Sequence, residues 1–335
     1  MELQQFSLGS VELVSGQVLA DAQLQFCTYG KLNAARDNAV LLPTFYTGTH
    51  VRNKGFFGPG RALDPAHHFI VSINMFGNGV STSPSNAVGG CEGAAFPGVT
   101  LFDNVACQYR LLTELLQVSR LRLVAGWSMA ACQAFQWAVQ YPQFVDAIVP
   151  FCGSARVSIH NHVFLEGVKA ALQADASYAG GNYVQPPVAG LKAFGRVYAG
   201  WAFSQTFFRE RLFSKLGFET SEQLLASWAQ DHADNWDAND LLAMLWTWQH
   251  ADVSRHTGFS GNYAGALASI KARSIVIACS DDLYFPPADS AIEVACIANA
   301  QLRVFDSAWG HCVANPGNEP AFDVFLDDAI RAVMH

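Results

Sequence analysis

Val124-Ala125-Gly126-Trp127-Ser128-Met129-Ala130-Ala131 is the stretch on which the reading of this chain turns. An apolar, strand-like run from Leu121 to Gly126 meets a short turn at Ser128. A helix-like run from Met129 to Tyr141 follows and stops before Pro142. Strand, G-x-S-x-small and helix in succession force a serine onto a tight, strained turn with its hydroxyl free. Residues flanking such a turn have to be small. Gly126, Ala130 and Ala131 are, although Ala130 stands where a second glycine is usual. The following helix aims its N-terminal N–H groups at the same point, where they stabilise a developing oxyanion. Ser128 is the candidate nucleophile.

Outward from this turn the chain alternates between strand and helix patterns. Asn38–Pro43, His68–Asn74 and Asp146–Phe151 are short apolar runs, and Leu101–Leu116 carries apolar residues at three- and four-residue spacings. Such alternation predicts an α/β fold, a mainly parallel sheet covered by helices on both faces. From about Ser154 to Ser260 the chain is rich in Trp, Phe, Tyr, Gln and Ala and reads as helical. We expect residues 154–260 to form a helical cap inserted into a core made of 1–153 and 261–335. Strand patterns resume at Ser274–Cys279 and Gln301–Phe305, and a last helix is expected from about Ala321 to Met334.

The late strands supply the rest of a catalytic set. A serine triad on such a sheet runs in the order Ser, acid, His, the last two on loops after late strands. Ser280-Asp281-Asp282-Leu283-Tyr284 follows the first late strand, and Asp306-Ser307-Ala308-Trp309-Gly310-His311 follows the second. His311 is read as the base and Asp281 as the acid that fixes its tautomer, with Asp282 the competing acid and Asp306 a third. The second oxyanion donor should lie on the loop Thr44-Phe45-Tyr46-Thr47-Gly48, so the backbone N–H groups of Tyr46 and Met129 are the candidates.

Composition narrows the alternatives. Hydrophobic residues make up 51% and charged residues 14% of the 335, which describes a compact globular protein. A net charge of −8 argues against nucleic-acid or anionic-membrane partners, which call for basic patches. The N-terminal MELQQFSLGS lacks a signal-peptide pattern, and no apolar run approaches the roughly 20 residues of a membrane span. The eight cysteines are scattered without a CxxC pair, as in a reduced, cytoplasmic protein. His67-His68 and His160-x-His162 lack a carboxylate or thiolate at ligand spacing, so no metal site is expected.

With these residues in place, the chain resembles the homoserine O-acetyltransferase family of α/β-hydrolases nearly end to end. The resemblance is carried by Tyr29–Val40, by GWSMAACQAFQWAVQYPQFV from Gly126, by Ala174–Leu191, by Asp237–Asp240, by SDDLYFPP from Ser280, and by Gly310-His311. It implies the α/β-hydrolase fold, the triad, a cap over the site and a homodimer.

Departures from that family fall where substrate is held. The family's acetyltransferases grip the homoserine carboxylate with an arginine where, by register, this chain has Lys169. They also follow the catalytic histidine with an aspartate, where this chain has Cys312. Lysine lacks the bidentate guanidinium fork, and a thiol supplies no fixed charge. We therefore expect hydrolysis of short-chain, acetyl-type esters through an acyl-enzyme on Ser128, with a small-molecule ester as partner and no cofactor. Phe45, Tyr46, Trp127 and Phe76 are expected to narrow the acyl pocket. The alternative is an O-acyltransferase that takes acetyl-CoA and passes the acyl group to homoserine or another alcohol. A non-catalytic relative is a third reading, at odds with an intact triad.

Overall fold

The computed structural model describes residues 2–334. Eight strands, β1 (Gln4–Glu12), β2 (Val18–Tyr29), β3 (Ala39–Pro43), β4 (Phe69–Ile73), β5 (Leu121–Trp127), β6 (Ala147–Phe151), β7 (Arg273–Cys279) and β8 (Ala300–Phe305), form one sheet. Their spatial order is β1-β2-β4-β3-β5-β6-β7-β8. From β4 to β8 neighbouring strands are parallel, whereas β1 and β2 form an antiparallel hairpin added at one edge. That hairpin is absent from the sequence reading above. In β2, Ala22, Leu24 and Phe26 alternate with Asp21, Gln23 and Gln25, the period-two pattern of a strand with one buried face.

The parallel strands are apolar throughout because both faces are covered. Successive residues pack into opposite halves of the core. Leu123, Ala125, Trp127, Val149, Phe151 and Ile277 face one cluster, while Leu121, Val124, Ile148 and Val276 face the other. Helix α1 (Leu101–Arg110) begins at Thr100, whose hydroxyl accepts from the Asp103 N–H while Asp103 accepts from the Thr100 N–H. This capping box fixes the start of the helix. The run to Leu116 that the spacing predicts as helix continues past α1 as a π-helical turn, Leu111–Leu115. Helix α2 (Met129–Gln140) follows β5 directly.

After β6 the chain leaves the sheet for the helices α3 (Ile159–Gln173), α4 (Val188–Ala202), α5 (Gln205–Arg209), α6 (Ser221–Asn235) and α7 (Ala238–Gln249). It returns through α8 (Tyr263–Ala268) to β7, and α9 (Pro287–Val294) and α10 (Pro320–Met334) complete the fold. Exit and return lie side by side. The Val157 N–H donates to the Ala251 carbonyl at 3.0 Å and the Val253 N–H to that of Ala155 at 3.1 Å. No helix among the described residues is long and apolar enough to cross a membrane.

Glu293 of α9 is buried behind this crossing. Its Oε1 accepts from the Ala155 N–H at 2.8 Å and from the Tyr263 hydroxyl at 2.6 Å, while Oε2 has no partner among the described residues. Burial pushes its carboxyl from 4.5 up to about 7, against the pull of the Tyr263 hydroxyl and the Ala155 N–H. Between those two values the unfolded chain has lost the proton and the folded chain retains it. The carboxyl therefore removes stability progressively as pH rises from about 4.5 to about 7. In Glu293→Gln that component vanishes. Thermal unfolding should show the wild type losing stability relative to the variant as pH rises through this window; a constant offset between the two would disprove the assignment.

Candidate active site

Chain geometry collects the site at the carboxyl ends of the strands, the usual place for ligands on an open parallel sheet. Ser128 sits between β5 and α2 with φ 60° and ψ −124°, a conformation that costs a non-glycine residue about 1–3 kcal/mol. Packing holds it there. A Cβ on Gly126 would overlap Ala130, and one on Gly153 would overlap Ala131 and lie 2.6 Å from the Ser128 carbonyl oxygen. That carbonyl accepts from the N–H groups of Ala131 at 2.9 Å and Cys132 at 3.1 Å. Across a trans peptide the Met129 N–H points the opposite way.

The loop after β3 is fixed by the same logic. The Phe45 carbonyl accepts from the Gly48 N–H at 2.9 Å, which turns the Tyr46 N–H of that peptide away from the turn. Neither the Tyr46 nor the Met129 N–H has a hydrogen-bond partner among the described residues. Tyr46 lines the cavity in front of Ser128. Its phenol is buried and donates to the Leu241 carbonyl at 3.2 Å, which anchors the loop to α7.

The carboxylate that meets His311 is Asp282, one residue beyond the one expected. Asp282 Oδ2 accepts from His311 Nδ1 at 2.8 Å, and both side chains are buried. Its Oδ1 accepts from the N–H groups of Tyr284 at 2.8 Å and Phe285 at 3.2 Å, which orients the carboxylate toward the imidazole. Asp281 is half-exposed and makes no such bond. Both carboxylates follow β7, and the pattern there does not tell which side chain the turn directs inward. The Asp282 N–H donates to the Cys279 carbonyl at 3.2 Å, and this tight turn decides it. Asp306 is occupied elsewhere, accepting from the Ser280 hydroxyl at 2.8 Å. The bond to a carboxylate makes Nδ1 of His311 the donor and leaves Nε2 free to accept a proton.

Ser128 and His311 line a cavity of about 390 Å³ between the sheet and the helices α4 and α6. Phe45, Trp127 and Cys312 line it as well, whereas Lys169 and Phe76 do not. Lys169 lies on the outer side of α3, paired with Glu166 at 3.2 Å, because the buried stripe of that helix is formed by Phe164, Leu165, Val168 and Leu172. Phe76 belongs to the core cluster on the other face of the sheet. Burial pushes the Cys312 thiol up to about 12, so it stays neutral beside His311.

Sequence spacing gave no hint of several other groups on this wall. Arg52 stands at the mouth, its guanidinium 5.6 Å from the Phe45 ring and 5.9 Å from that of Trp127, donating to Asn315. Asp231 and His232 face the cavity from α6. His232 Nδ1 donates to the Trp228 carbonyl at 2.8 Å, so its buried Nε2 is a bare acceptor.

A parallel sheet with a strained serine after its central strand, and an acid–histidine pair after late strands, is the architecture of the α/β-hydrolases. Residues 40–314 match the model of the alpha/beta hydrolase fold family, and the chain belongs to it. Within that fold it is an esterase-like relative of the homoserine O-acetyltransferases. A probable esterase of Corynebacterium glutamicum is 38% identical over 91% of this chain and 88% of its own. An ethyl acetate hydrolase of Pseudomonas veronii is 37% identical, again over 91% and 88%. A homoserine O-acetyltransferase of Trichormus variabilis is 32% identical over 90% of this chain and 86% of its own. The crystal structure of an acetylester hydrolase from C. glutamicum superposes with a TM-score of 0.95, covering 99% of this chain and 96% of that one at 35% identity.

The two neighbouring aspartates give a direct test. Asp282→Asn should lower kcat by roughly 10³–10⁴-fold through loss of the correct imidazole tautomer. Asp281→Asn should change it less than about tenfold, well short of the loss expected for the residue that holds the imidazole. Equal losses in steady-state kinetics would contradict the assignment.

Proposed function

We propose that this protein is a serine esterase that hydrolyses short-chain, acetyl-type carboxylic esters. One observation carries the reading: the buried Asp282–His311 pair at 2.8 Å opens onto the same cavity as the strained Ser128. His311 Nε2 takes the Ser128 proton as Oγ attacks the ester carbonyl, and the oxyanion is received by the N–H groups of Tyr46 and Met129. The tetrahedral intermediate expels the alcohol, which takes its proton from His311. Water, activated by the same imidazole, then releases the carboxylic acid and frees Ser128. Asp282 stabilises the imidazolium in both halves of the cycle. No cofactor enters this scheme.

Water and an alcohol attack the same acyl-enzyme, so the triad alone does not choose between hydrolase and transferase. The choice follows from the acceptor site. Cys312 places a neutral thiol after His311, and Lys169 stands outside the cavity, so a zwitterionic acceptor lacks the two clamps named above. The esterase and ethyl acetate hydrolase relatives support the same side. We further propose a homodimer, supported by the family resemblance and by Ile159, Val163 and Val184, apolar and exposed on the cap. Sedimentation at micromolar concentration would test it, a single monomeric species counting against it.

The deciding measurement presents the enzyme with ethyl acetate and with acetyl-CoA, each with and without homoserine, and identifies products by mass spectrometry. Acetate from the ester, unchanged by homoserine and lost in Ser128→Ala, is the expected result. O-acetylhomoserine as the main product would establish the transferase instead.

A further inference from the structure

Gln133 lies one turn beyond Met129 on α2, fully buried and outside the triad. Its Nε2 donates to the Thr44 carbonyl at 2.8 Å, and its Oε1 accepts from Gln108 Nε2 of α1 at 2.7 Å. Gln108 Oε1 in turn accepts from the Trp137 indole N–H at 3.1 Å, one turn further along α2. Thr44 is held from its other side. Its N–H donates to the Ile73 carbonyl at 3.1 Å, and its hydroxyl oxygen accepts from the Met75 N–H at 3.0 Å. The side-chain bonds thus close a ring between α2 and α1, from which Gln133 reaches out to the loop after β3.

We propose that Gln133 is a positioning residue that sets the separation of the Tyr46 and Met129 N–H groups, and so the shape of the oxyanion site. The proposal rests on the reading of those two groups as oxyanion donors. They are carried by different elements, one on a loop after β3 and one at the start of α2. The strands beneath them are neighbours, with Val40 opposite Leu123, but both N–H groups lie beyond the last paired residues. Gln133 supplies a direct polar tie across that gap, two residues before Tyr46 and four after Met129.

A carboxamide suits the place because it offers a donor to Thr44 and an acceptor to Gln108 at once. A carboxylate would set negative charge against the Thr44 carbonyl. A hydrocarbon would leave the Thr44 oxygen and a Gln108 N–H unpaired in a region closed to water. Either change loosens the loop relative to the helix. Oxyanion stabilisation falls steeply with misplacement, an error of about 1 Å costing on the order of 10²-fold in rate. Such a loss appears in the transition state and not in substrate binding, so it enters kcat and spares KM.

The test compares wild type, Gln133→Met and Gln108→Met on ethyl acetate, with active sites counted by a serine-reactive phosphonate. Affinity for methylboronic acid, a tetrahedral mimic, is measured alongside. Per titrated site, Gln133→Met should lose about 10- to 100-fold in kcat, with KM within threefold and boronate affinity falling in parallel. Gln108→Met keeps the bond to Thr44 and should lose about three- to tenfold; it serves as the reading if Gln133→Met does not fold. Unchanged kcat per site, or losses of kcat and KM together with boronate affinity intact, would overturn the proposal. A wild type that takes no phosphonate would remove the esterase reading itself.

Discussion

The structure depends on one peptide unit held in a conformation it would not choose. The Ser128 carbonyl is gripped by two N–H groups of α2, and Gly126 and Gly153 leave the space that lets α2 press against β5 and β6. The conformational cost at Ser128 is met by the packing of the central strands, whose residues are buried on both faces. Once the carbonyl is turned inward, the hydroxyl and the Met129 N–H are committed to the cavity side. The helices after β6 and the loops after β3 and β8 are then arranged around a point already fixed by the sheet.

Electrostatic design follows the same economy. Asp282 is buried without a cation, yet three donors reach it: two backbone N–H groups at one oxygen and the imidazole at the other. These bonds satisfy the buried carboxylate, and the imidazole is held in one tautomer. Trp127 stacks on His311 at 5.2 Å and Tyr284 packs against it at 4.5 Å, so the ring has little freedom to turn.

Much of this was legible in the sequence where local pattern and chemistry coincide. The parallel strands declare themselves as apolar runs, and Ser128 and His311 follow from their places after strands. The sequence does not separate Asp281, the expected acid, from Asp282, because periodicity stops where the strand stops. Beyond Cys279 the direction of a side chain is set by one turn bond that no spacing encodes. Lys169 shows a related limit. Alignment by register located the position, but the helix turns that position to solvent and leaves Phe164 and Val168 to face inward. The hairpin β1–β2 obeys ordinary alternation yet adds to an edge far from the chemistry, where neither motif nor resemblance drew attention. Arg52, Asp231 and His232 converge from segments more than 170 residues apart in the chain, and only tertiary folding brings them to one wall.

The exit and return of the cap meet in a pair of backbone bonds, Val157 to Ala251 and Val253 to Ala155. Closing so long a segment at its own ends leaves β6 and β7 free to pair as parallel neighbours. The helices between them are nonetheless built into the body: Tyr46 donates to Leu241 of α7, and Phe164 and Tyr198 share a core cluster with Trp127. A change in α3 to α7 is therefore felt in the wall of the cavity, while the crossing at Ala155 and Val253 keeps it from reaching the order of the strands.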